Sequence, residues 1–301
     1  MGNGRSARDW FVEGYQLDTV KGLPDRAIEA YKECLRLDDE YVDAYVNLGF
    51  IYLEREEHEQ ALRCFMRVTE LESDNPEAYN NLGYVYEKME RLGSAKQMYE
   101  RARDVDPDDV EAYLNIAHVA DLQGDFEGAI KQYQKAIQIN SDSVAAHFCL
   151  ALLYDRYDLS EEAMVEYQRT LNLDPRHLKA LFNLGNLHAQ HGQHDDAIAC
   201  FKWVLQLNAS NAEAHNNLGS VYEALGRYNE AIVMYKKSIA LKSFQEEAHY
   251  NLARLEYQLS CVSGGSIDDT KQKEITERLR FVLSRNPKNR KVEQLLEEIE
   301  R

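Results

Sequence analysis

Small, aromatic and polar positions return along this chain on a fixed beat of thirty-four residues. Ala27, Ala61, Ala95, Ala129, Ala163, Ala197 and Ala231 keep the beat, and four residues after each comes a ring: Tyr31, Phe65, Tyr99, Tyr133, Tyr167, Phe201 and Tyr235. With Val42 as position 1, the repeats run 8–41, 42–75, 76–109, 110–143, 144–177, 178–211 and 212–245, and an eighth starts at Glu246. Position 7 is apolar (Leu48, Leu82, Ile116, Leu150, Leu184, Leu218, Leu252), position 8 is small (Gly49, Gly83, Ala117, Ala151, Gly185, Gly219, Ala253), and position 11 is usually Tyr, with His188 standing in once. Positions 4, 7, 8 and 11 share one face of a helix. Positions 20, 21, 24, 27 and 28 mark a second helix. The pattern predicts antiparallel helix pairs in which small position 8 faces small position 20, with the large residues at 11 and 24 on either side. Gly22, Gly124, Gly192 and Gly226 fall at position 15, where a helix ends and the left-handed conformation suits glycine. Asp106-Pro107 and Asp174-Pro175 stop second helices. A period of this length predicts an all-α stacked array rather than one closed globule.

The succession NLGxxY, as at Asn81–Tyr86 and Asn217–Tyr222, then AxxxY/F and then Asp-Pro, resembles the tetratricopeptide repeat (TPR) family over nearly the whole chain. The resemblance implies a right-handed α-solenoid of about seven to eight helical hairpins, with first helices lining a concave groove and second helices the convex side. The pattern fades at both ends. Residues 1–7 read as a flexible start, and the first repeat has Glu13, Gly14, Tyr15 and Asp18 where Asn, apolar, small and Tyr are expected. The eighth repeat, 246–287, needs about nine extra residues, with a loop near 260–270. Residues 288–301 read as a capping helix, with Val292, Leu295, Leu296 and Ile299 on one face.

Charge and cysteine usage narrow the partners. Fifty-two Asp and Glu against 35 Lys and Arg give a net charge of −17, which argues against nucleic acid, since phosphate binding needs clustered cations. Neutral or basic protein partners fit better. The five cysteines show no CxxC pair, and Cys34, Cys64 and Cys200 read as small core residues, so a reducing, cytoplasmic setting is expected. There is no secretory h-region and no apolar run of the ~20 residues a membrane span needs. Met1-Gly2-Asn3-Gly4-Arg5-Ser6 fits the N-myristoylation pattern at Gly2, which would add peripheral membrane contact; an ordinary polar start is the alternative. No nucleophile elbow, phosphate loop or isolated carboxylate pair suggests an enzyme, and no cofactor is implied.

Candidate binding residues follow from the resemblance. Position 6 reads Asn47, Asn81, Asn115, Cys149, Asn183, Asn217 and Asn251. In the TPR geometry it points into the groove, where an amide offers two donors and an acceptor to an extended peptide backbone. The series is similar to the asparagine ladder of O-GlcNAc transferases; inherited packing is the other reading. Phe50, Tyr84 and His118 at position 9, with Phe148, Phe182 and Tyr250 at position 5, would supply side-chain contacts. Acidic position 2 (Asp43, Glu77, Glu111, Glu213, Glu247) would favour Lys or Arg in the ligand. No repeat has Arg at position 6 or Lys at position 5, so the Lys/Asn/Arg clamp that holds chaperone tails is missing. His188, His191 and His194 are spaced like ligands, but Gly192 separates them, and no metal site is expected. His147, His215 and His249 occupy position 4 as variants of an aromatic slot. The expected function is a non-enzymatic scaffold or adaptor that holds an extended or helical segment of a partner protein. Two alternatives stay open: self-assembly, either by a neighbour's groove receiving the first helix with Trp10 and Phe11 exposed or by the convex face tiling into filaments, and a targeting subunit for a separate enzyme.

Overall fold

A computed structural model describes residues 5–262 and 268–300, and among these there are seventeen helices and no strand. Gly2 and residues 263–267 of the expected inserted loop lie outside the described residues. Two compact halves divide the chain, Met1–Tyr157 and Asp158–Arg301. The N-terminal half holds α1 (Ala7–Thr19), α2 (Pro24–Leu37), α3 (Val42–Glu54), α4 (His58–Leu71), α5 (Pro76–Lys88), α6 (Leu92–Val105), α7 (Val110–Leu122), α8 (Phe126–Ile139) and α9 (Val144–Arg156). The C-terminal half holds α10 (Ser160–Leu173), α11 (Leu178–Gln190), α12 (His194–Leu207), α13 (Ala212–Ala224), α14 (Tyr228–Leu241), α15 (Glu246–Val262), α16 (Asp269–Arg285) and α17 (Arg290–Glu300). Within each half, helices adjacent in sequence pack together, and first helices also touch the next first helix: α5 with α7 and α7 with α9 in one half, α11 with α13, α13 with α15 and α15 with α17 in the other. Each half therefore has a layer of first helices.

Local chemistry sets the ends of these helices. Several first helices open on side-chain caps, with Asn75 accepting from the Glu77 amide, Asp109 from Glu111, Ser143 from Ala146 and Asn211 from Ala214; each satisfies an amide the helix leaves unpaired. The turn into the second helix passes through position 15 with positive φ, at Gly22, Gly124, Gly192 and Gly226. Glu56, Glu90 and Asp158 adopt the same conformation, φ 59°, although a side chain makes it unfavourable.

A further rule comes from position 4. Tyr45, Tyr79 and Tyr113 donate their hydroxyls to the carbonyl six residues earlier, at 3.2–3.3 Å. Nε2 of His147, His215 and His249 reaches the equivalent carbonyl at 2.9–3.2 Å. Imidazole and phenol thus pin the same inter-repeat turn, and the aromatic slot holds for both.

Two expectations need correction and another is extended. Position 8 meets the position-24 ring as well as position 20, as Gly219 does with Tyr235 and the Ala231 carbonyl. A methyl on Gly83 would come within 2.6 Å of Tyr99, and one on Gly219 within 2.8 Å of Tyr235. The first repeat does have its small residue. Gly14 packs on Tyr31 at 2.8 Å by the same measure, whereas Tyr15 is exposed. The connection Val20–Leu23 is one residue longer than its counterparts, so the helix register moves back by one. Finally, Trp10 and Phe11 are half-buried against the core of the N-terminal half, with Phe11 4.9 Å from the Tyr41 ring. Cys34 and Cys64 are buried as expected, and Cys200 is half-buried.

Candidate functional site

The expected groove residues all lie on first helices, but they do different jobs. Asn47 and Asn81 are half-buried and form no side-chain hydrogen bond among the described residues. Asn115 donates to Asn80 Oδ1 at 3.5 Å, and the buried Asn80 donates in turn to Asp109 at 2.7 Å. Asn183 donates to the Tyr167 hydroxyl at 3.0 Å. In the C-terminal half the amides form a chain: Asn251 donates to Asn216, Asn216 to Asn217, and Asn217 to Asn186, at 3.2, 3.2 and 2.8 Å. That chain links α15, α13 and α11. Much of the asparagine series therefore ties neighbouring first helices together.

The aromatic candidates divide as well. Phe50 and Tyr84 are each 42% exposed. Phe148 is half-buried. Phe182 stands edge-on to Phe201 at 5.9 Å, and Tyr250 packs on the terminal core. His118 belongs to an ion pair, with Nε2 3.5 Å from Glu87. The hydrogen bond to Glu87 raises the His118 pKa against the opposing effect of burial. Burial pushes the Glu87 carboxyl up, but hydrogen bonds from His118 and Tyr99 outweigh it and hold the pKa low.

This pair exposes a device the repeat alignment misses. In the third repeat, the position-12 carboxylate of Glu87 takes the Tyr99 hydroxyl from position 24 and the His118 cation from position 9 of the next first helix. In the seventh, Glu223 takes the Tyr235 hydroxyl at 2.9 Å and Arg254 at 2.7 Å. The second and sixth repeats cannot do this. Their position 24 is Phe65 and Phe201, their position 12 is Leu53 and Ala189, and the next position 9 is Tyr84 and Ser220.

A cavity opens at both places. One of about 540 Å³ is lined by Phe50, Leu53, Glu54, Glu56, His58, Tyr84 and Lys88. The other, about 400 Å³, includes Asn186, Ala189, Gln190, His194, Asn217, Ser220 and Ala224. Position for position the two correspond, four repeats apart. Both have a position-17 histidine, His58 or His194, whose buried Nδ1 has no hydrogen-bond partner among the described residues. Phenylalanine in place of tyrosine at position 24 is the sequence signal that marks them.

The terminal repeat replaces position-11 tyrosine with Glu256, buried and gripped by Lys271 at 2.8 Å, Arg278 at 2.7 Å and Lys236 at 3.7 Å. Burial raises the pKa of this carboxyl, but its bonds to Lys271 and Arg278 prevail and lower it. The histidines 188, 191 and 194 do not converge, since His191 Nδ1 lies against the Leu187 carbonyl and His188 Nδ1 against Gln193. No group of three metal-ligating side chains gathers among the described residues. No described helix is long and apolar enough to cross a membrane.

Comparisons agree with this architecture. A "TPR repeat" family model matches residues 51–90, 122–156 and 185–226, and "Tetratricopeptide repeat" models match 76–109, 212–243 and 166–199. Together these segments span more than half of the chain. A search of curated proteins gave no significant match. Among solved structures, Pseudomonas aeruginosa PilF superposes with a TM-score of 0.60 at 19% identity, covering 72% of this chain and 98% of that one. A chain of the APC/C hetero-tetramer Cut9-Hcn1 gives 0.58 at 18% identity, covering 97% of this chain and 54% of that one. YrrB, a TPR protein with an unusual peptide-binding site, gives 0.52 at 21% identity, covering 61% and 95%. At these identities the likeness is one of fold.

Proposed function

The chain belongs to the tetratricopeptide repeat family, and from that premise we propose that it is a protein-interaction scaffold whose first-helix layer captures an extended segment of a partner protein. The observation that carries this reading is a pair of corresponding cavities, one beside the first helices of each half, the first lined by the exposed rings of Phe50 and Tyr84. Position-9 rings left open in this way, beside a stack that buries every position-24 ring, suit a ligand rather than the core. Asn47 and Asn81 keep both donors and the acceptor for a peptide backbone. Asn115, Asn183, Asn217 and Asn251 stiffen the layer, which lowers the ordering cost of binding. The peptide-binding site of YrrB and the assembly of Cut9 with Hcn1 are uses of the same fold by other proteins. They support protein partners here. The net charge of −17 favours a segment with basic or apolar side chains over nucleic acid.

Replacing Asn81, Asn115, Asn183 and Asn217 together with Ala tests the reading. Affinity for a partner segment is expected to fall while helical circular dichroism is retained. Undiminished affinity in that variant counts against the groove.

Self-association has an observation of its own, among helices α10, α11 and α12 of the C-terminal half. A cavity of about 320 Å³ is lined by Leu171, Pro175, Leu181, Cys200 and Trp203, with Trp203 46% exposed. Light scattering across a dilution series tests it, and a Trp203→Ser change is expected to keep any oligomer dissociated. A strict monomer at every concentration removes this second reading.

A further inference from the structure

The cavity of the second repeat has a chemistry its counterpart lacks. Its lining brings together two exposed rings, Phe50 and Tyr84, the exposed carboxylates of Glu54 and Glu56, and His58. Neither carboxylate makes an ion pair or side-chain hydrogen bond among the described residues. The nearest arginine in sequence, Arg55, is held by Asp25 at 2.6 Å and by Glu57 at 2.9 Å. The one ammonium in the cavity, from Lys88, sits 4.8 Å from the centre of the Tyr84 ring, which shows the charge this aromatic wall accepts. Four repeats later the same positions carry Asn186 for Phe50, Gln190 for Glu54, Gly192 for Glu56, Ser220 for Tyr84 and Ala224 for Lys88. Every charge and both of these rings are gone, while the backbone plan and the histidine are retained.

From this contrast we infer that the second-repeat cavity is a subsite for a cationic side chain, a guanidinium or alkylammonium, held between the Phe50 and Tyr84 rings and the Glu54 and Glu56 carboxylates. The inference rests on the groove reading for its physiological ligand, an arginine or lysine of the captured segment. Rings and carboxylates together select a cation: the ring faces attract the charge, and the carboxylates accept its N–H donors. Glu56 joins the cavity lining from a left-handed backbone position that glycine fills in four other repeats. Lys88 is a competitor already in place, so a bound guanidinium displaces it from the ring.

The test uses the full chain with ring-labelled phenylalanine and tyrosine, followed by NMR. The probes are N-acetyl-arginine amide and its citrulline counterpart, which has the same shape without the charge. Saturating shifts at Phe50 and Tyr84 are expected in the millimolar range with arginine, about tenfold weaker with citrulline. Glu54→Gln with Glu56→Gln is expected to abolish the preference, and Lys88→Ala to tighten arginine binding several-fold. Glu56→Gly is expected to raise Tm while weakening arginine binding, a split that a merely structural role does not produce. Equal shifts with both probes, or none at these rings, overturn the subsite. A second arm uses the peptide Ac-Gly-Ala-Ala-Arg-Ala-Ala-Gly-NH2 and its citrulline twin. If the peptide binds no better than the capped amino acid, the subsite stands as a small-cation site and the groove reading fails. If both peptides bind better than the capped amino acids but equally to each other, the groove stands and the subsite fails.

Discussion

The same thirty-four-residue hairpin has been put to two uses in the two halves of this chain. In the N-terminal half, the second repeat leaves two rings and two carboxylates open, and Asn47 and Asn81 uncommitted. In the C-terminal half, the equivalent cavity is neutral and the asparagines are chained from α15 to α11. The last repeat of that half adds the Glu256 ion cluster. An amide that bonds to its neighbour stabilises the array, whereas an amide without a partner is available to a ligand. The same residue at position 6 is therefore bonded into the array in one half and, at Asn47 and Asn81, left without a side-chain partner in the other.

The strongest way to break this contrast is at Glu256. Glu256→Ala leaves Lys271 and Arg278 without their buried partner, and removing one member of such a cluster costs about 3–5 kcal/mol. Repeat arrays open locally, so hydrogen exchange should accelerate in α14–α16 while α3–α7 is unchanged. The asparagines give a smaller split. Asn217→Ala removes two hydrogen bonds of the C-terminal chain and is expected to cost about 1 kcal/mol. Asn81→Ala, with no such bond to lose, should stay within about 0.5 kcal/mol. Denaturant midpoints of the two variants compare them directly.

The smallest effect is one of sign. Burial lowers the pKa of His215 and His249. An unfolded histidine titrates near 6.5, so their contribution is complete above that pH and is lost as pH falls through the lowered folded value. The raised pKa of His118 acts oppositely: its contribution is complete below about pH 6.5 and is lost as pH rises through the folded value. Between about pH 7.5 and pH 5.5, His215→Gln should flatten the loss of stability on acidification, and His118→Gln should remove a gain. Urea unfolding at the two pH values checks both signs.

The fold was almost wholly legible in the sequence because its information is periodic. Helix pairs, the left-handed turn at Gly124 and the buried ring at Tyr99 depend on neighbours within one repeat, and spacing reports them. What escaped depends on other relations. Gly14 was misplaced because a turn one residue longer shifts a whole helix without altering its composition. The Glu87–His118 pair joins position 12 to position 9 of the next repeat, a lateral relation that aligning each column separately does not display. The two cavities were written in the alternation of Tyr and Phe at position 24, where losing a hydroxyl also removes the need for a carboxylate beside it. Whether Asn47 or Asn217 faces a ligand could not be read from identity, since both are asparagines at position 6 and only their surroundings differ.

The central claim is that partner protein is held on the first-helix layer. A photo-crosslinking residue placed by Tyr84→p-benzoylphenylalanine tests it against the same residue placed by Val233→p-benzoylphenylalanine, an exposed position on second helix α14. Irradiation of intact cells followed by mass spectrometry should give a discrete crosslinked partner from position 84 and none from position 233. A partner captured from 233 and not from 84 would contradict the account.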